Sequence, residues 1–86
     1  MPGVEEIRAG IALANEKASA SIAALQQAAQ SLEEAQQTLA QATSGSTQEE
    51  VNQAHGLLAE ALQGINGTQS TIQACISSAD AYSARL

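Results

Sequence analysis

Apolar residues recur every three or four positions along nearly the whole chain. One stretch interrupts them, Thr43-Ser44-Gly45-Ser46-Thr47-Gln48-Glu49-Glu50, at the midpoint of 86 residues. Before it, one heptad row reads Val4, Ile11, Ala18, Leu25, Leu32, Leu39, and a second reads Ile7, Ala14, Ser21, Ala28, Ala35, Ala42. After it, Val51, Leu58, Ile65, Ile72, Ala79 and Leu86 form one row, and Ala54, Ala61, Thr68, Cys75 and Tyr82 the other. Each half therefore pairs a large aliphatic row with a small one. A seven-residue repeat predicts two long helices with a left-handed packing seam, built from these two rows. The predicted spans are about residues 3–43 and 47–85, with a turn at 44–46, in a single domain over 1–86.

Local signals agree with these boundaries. Pro2 and Gly3 suit a helix start, and Glu5 and Glu6 lie near the positive end of its dipole. Gly45 can enter the left-handed conformation that ends a helix. Ser46 with Glu49, or Thr47 with Glu50, has the spacing of a capping box. Arg85 suits the negative end of the second helix. Gly64-Ile65-Asn66-Gly67 is the natural place for a break, but Leu58, Ile65 and Ile72 stay in phase across it, which predicts a continuous helix.

Folding about Gly45 predicts an all-α antiparallel coiled-coil hairpin in which residues whose numbers sum to about 90 lie level. A half-heptad slip is the alternative register. Leu13, Ile22, Leu57, Leu62 and Ile76 fall outside the two predicted core rows. Either they flank the seam, or they form a second apolar face on which another hairpin packs, giving a four-helix bundle. The second reading makes these five the candidate partner-binding residues.

Composition strengthens the need for a partner. One Tyr and no Phe or Trp leave Leu, Ile, Val and Ala to build the core. So small a domain ordinarily adds disulfides, a metal or a second chain. A lone Cys75 cannot form an internal disulfide. The net charge is −6, with Arg8, Lys17 and Arg85 the only strong cations. They are scattered, so nucleic acid is not an expected partner. Glu5 and Glu6 stand where a signal peptide would be basic and then apolar, and no run reaches the length of a membrane span. A cytoplasmic protein without membrane insertion is expected.

Chemistry is sparse. His55 and Cys75 lie about 30 Å apart on one helix at 1.5 Å per residue, too far for a dyad within the chain. His55 is expected beside the seam, and Cys75 at a small core position, behaving as a small hydrophobe. No Glu-x-x-His pair and no Gly-rich phosphate loop is present. The expectation is a non-enzymatic protein without cofactor or metal. Gln26, Gln27, Gln30, Gln36, Gln37 and Gln41 replace the usual Glu–Lys ladders, so partner choice rests on shape.

The layout resembles the WXG-type helical hairpins of type VII secretion, and in its Ala- and Gln-rich style it is similar to small helical proteins of actinobacteria. Ser44-Gly45-Ser46 stands at the position of that family's Trp-x-Gly turn, without the tryptophan. Tyr82 is followed four residues later by Leu86, where the family's export signal has Asp or Glu. The resemblance implies a hairpin that pairs with itself or with a homologous hairpin, and a type VII-like export route. A protein-interaction module is thus the leading expectation, with a structural subunit of a larger helical assembly as the alternative.

Overall fold

The computed structural model describes residues 3–86; Met1 and Pro2, at the predicted helix start, lie outside them. Two helices fill the described chain, α1 over Val4–Ala42 and α2 over Glu49–Ala84. They fold back on each other as an antiparallel hairpin measuring 63 × 17 × 16 Å. Thirty-nine helical residues in α1 account for that length at about 1.5 Å each. α2 is unbroken from Glu49 to Ala84, through Gly64 and Gly67. Keeping Leu58, Ile65 and Ile72 on one face is worth more than the helix propensity lost at the glycines.

The connector covers 43–48. Thr43 caps α1: its N–H donates to Leu39 O at 3.0 Å, and its Oγ1 donates to the same carbonyl at 2.6 Å. Gly45 takes φ 82°, and the Ser46 N–H donates back to Thr43 O at 2.9 Å. No other described residue apart from Gly45 has positive φ, so the reversal depends on this one glycine. The predicted capping box does not form. Gln48 is the N-cap of α2 and makes no side-chain cap bond. Ser46 Oγ instead accepts the Gln48 N–H at 3.3 Å, a local turn that competes with capping. Glu49 and Glu50 still occupy the first turn, where carboxylates favour the exposed N–H groups.

The seam differs from the predicted one. Along α1 and its cap the half-buried positions are Ile11, Ala18, Leu25, Leu32 and Leu39, of the large row, together with Asn15, Ile22, Ala29, Gln36 and the cap residue Thr43. Along α2 they are Val51, Leu58, Ile65, Ile72 and Ala79, with Leu86 just beyond its end, and His55, Leu62, Gln69, Ile76 and Ser83. The small rows lie outside: Ala14, Ser21, Ala28, Ala35, Ala42, Ala61, Thr68, Cys75 and Tyr82 are all exposed, and only Ile7 and Ala54, near the ends, are partly covered. Both the small and the mixed row adjoin the large row, on opposite flanks. The helices rotate toward the mixed row because Ile22, Leu62 and Ile76 each bring three more carbons than alanine, at roughly 0.8 kcal/mol per fully buried methylene. In that row Gln36 and Gln69 have stems long enough to lie on the seam with the polar end in water.

One side-chain hydrogen bond joins the two helices: Asn15 Nδ2 donates to Asp80 Oδ1 at 2.7 Å, which brings these two residues together toward the open end of the hairpin.

Glycine substitutions separate the two roles of this residue. No atom lies within 4 Å of a Cβ built at Gly45, Gly56 or Gly67. Gly45→Ala is expected to destabilise the hairpin by about 1 kcal/mol because of its positive φ. Gly56→Ala and Gly67→Ala, in the helix interior, should each stabilise it by about 0.5–1 kcal/mol. Thermal melts followed by circular dichroism give the three signs.

Candidate functional site: the half-covered seam

Two helices can cover each other along one line only. None of the described residues is fully buried, and the large aliphatics of the seam all remain partly open to solvent. Ile22, Leu62 and Ile76, three of the five candidate partner residues, lie in this seam rather than on a separate second face. The hairpin itself uses part of their surface, and the remainder faces outward. Leu57 lies outside the seam, 59% exposed, next to the small row of α2. Leu13 is 53% exposed and points directly away from the seam, on the opposite side of α1. The structure thus brings three of the five together and leaves Leu57 beside them and Leu13 apart. Sequence reasoning missed the apolar surface that the small rows leave open. Its signal was the absence of charge from both small rows.

Chemistry-bearing groups do not converge. His55 is half-buried in the seam near the turn, and Cys75 is exposed on the small row of α2 instead of lying in the core. Rotation of the seam toward the mixed row accounts for both positions: it takes His55 inward and Cys75 outward. Among the described residues no three of His, Cys, Asp and Glu gather as a metal set, and no pocket opens. The one ion pair among them, Arg8 to Glu5 at 3.4 Å, is an exposed i,i+3 contact of the kind that contributes little. No described helix is long and apolar enough to cross a membrane.

Side-chain hydroxyls near the seam are turned inward to their own helices. Ser21 Oγ donates to Ala18 O at 2.6 Å, Thr68 Oγ1 to Gly64 O at 2.8 Å, and Thr71 Oγ1 to Gly67 O at 3.0 Å. These bonds leave methylene and methyl carbon as much of what Ser21, Thr68 and Thr71 present outward. At these three side chains water can be removed without leaving a hydroxyl donor unsatisfied.

Comparison with known proteins gives no family-model match, no matching curated protein and no matching solved structure.

The seam assignment has a direct test. Ile22→Ala, Leu62→Ala and Ile76→Ala should each cost about 1–2 kcal/mol, below the range for fully buried sites because these residues are half covered. Leu13→Ala should change stability by less than about 0.5 kcal/mol. Urea titration of the four variants provides the comparison.

Proposed function

We propose that this chain is a non-enzymatic association module: a helical hairpin that completes its core by pairing with a second hairpin into a four-helix bundle. The observation that carries the reading is the absence of any fully buried residue among those described. Folding a chain of this length costs about 1–2 kcal/mol of backbone entropy per residue, and half-covered aliphatics offset only part of it. Area gives the same direction. The accessible surface is 6114 Å², while a compact monomer of 8.8 kDa exposes roughly 4,800 Å². The excess of roughly 1,300 Å² per chain is what a large, permanent interface removes.

The hairpin architecture shared with WXG-type proteins supports a place for such a pair beside a type VII-like secretion system, as cargo or as a chaperone-like partner. Leu86 stands where that family's export signal carries an acid, so the reading concerns association and includes no export signal. Its partner is a helical hairpin, either a second copy or a homologous chain.

Pairing links stability to concentration, because a partner that binds only the folded chain adds to its stability by mass action. The melting temperature of the purified chain should rise across a hundredfold concentration series. Light scattering should give at least twice the monomer mass at the upper end. A fully helical species of monomer mass whose melting temperature is independent of concentration would overturn the reading.

A further inference from the structure

We propose that a second copy of this chain docks on the small-row side of the hairpin, antiparallel to the first, with the turn end of each against the open end of the other. The proposal rests on the pairing reading above and adds the face, the occupant and the orientation.

The face comes from comparing the two flanks of the seam. In an antiparallel hairpin the small rows of α1 and α2 fall on the same side. From Ile7 to Tyr82 those rows hold no charged residue. Their two non-aromatic hydroxyls, on Ser21 and Thr68, are already bonded to carbonyls of their own helices. Through these short side chains the half-buried large row remains reachable, and Leu57 and Tyr82, 59% and 47% exposed, enlarge the apolar area. The opposite flank carries Glu5, Glu33, Asn66, Gln73 and Asp80, with the Asn15–Asp80 bond across it. Drying that flank would strip water from carboxylates without supplying partners. The roughly 1,300 Å² of excess surface is therefore most readily removed on the small-row side.

Charge identifies the occupant and sets its direction. The half nearer the turn holds Glu33, Glu34, Glu49, Glu50 and Glu60 and no Lys or Arg, a charge of −5. The open half holds four carboxylates and all three cations, a charge of −1. A parallel pair would lay one −5 half against the other. An antiparallel pair sets each against the half that carries Arg8, Lys17 and Arg85. Lys17 and Arg85 also lie on the rim of the small-row side, as Glu50 does at the other end. With end-to-end overlap and a twofold axis across the middle, Arg85 comes level with Glu50 of the second copy and Lys17 level with its Glu34, within about one helical turn. A second copy thus supplies the only strong cations opposite the acidic turn half, and no different partner is needed for that.

Two readouts test the proposal on the full chain. The first uses nitroxide labels at the turn, in Ser44→Cys with Cys75→Ser. In the dimer, the antiparallel arrangement puts the labels close to the full 63 Å length apart. A separation no larger than the width of the bundle would overturn the orientation. The second uses the native thiol, which is exposed in the isolated hairpin. Because only unpaired chains offer it, Cys75 should react about tenfold more slowly when nine-tenths of the chains are paired. Cys75→Ser with Gln73→Cys, two residues away on the opposite flank, should stay reactive. Protection of the residue-73 thiol with Cys75 still reactive would overturn the face. A helical monomer at all concentrations would instead overturn the pairing reading itself, and light scattering on the same samples distinguishes that result.

Discussion

Everything in this molecule depends on a single line of contact. Two helices touch along one seam, and one seam covers each of its residues from one direction only. A third helix or a sheet would close the other side, but the described chain has none to offer. The large aliphatics are therefore organised by the hairpin and left unfinished by it.

The choice of seam explains how the remaining surface is divided. Rotating toward Ile22, Leu62 and Ile76 gains aliphatic contact and admits Asn15, Gln36, Gln69 and His55 at the edge, where long or amphipathic side chains can keep a polar tip wet. The same rotation expels alanines, Cys75 and Tyr82 to the other flank. One helix rotation thus produces a polar flank and an apolar one. On the apolar flank the hydroxyls of Ser21 and Thr68 are already occupied by backbone carbonyls. The association proposed above rests on this surface.

Much of this was legible in the sequence, for identifiable reasons. The large row fixes two helices because Val4 to Leu39 and Val51 to Leu86 hold the heptad without a gap. Gly45 fixes the turn because a reversal there needs positive φ, and it adopts 82°. The seam's second row was not legible. Periodicity places a small and a mixed row at equal distances from the large one, and a row of mostly small, uncharged residues looks more regular than one interrupted by Asn15 and Gln36. Packing is decided by buried carbon instead, and three large aliphatics outweigh the regularity. Cys75 and His55 exchanged environments for that reason alone. The cap of α2 was missed because Ser46 can bond either forward into the helix or locally to Gln48, and the sequence spacing does not rank the two.

Small-angle X-ray scattering of the native chain at high concentration tests the central claim most directly, because it gives mass and length together. Side-by-side pairing predicts twice the monomer mass at a maximum dimension that stays near 63 Å, with only the cross-section thickened. Scattering from a single chain of that length and a radius of gyration near 19.4 Å, with helicity undiminished, would show that the half-covered seam is sufficient by itself and would contradict the account.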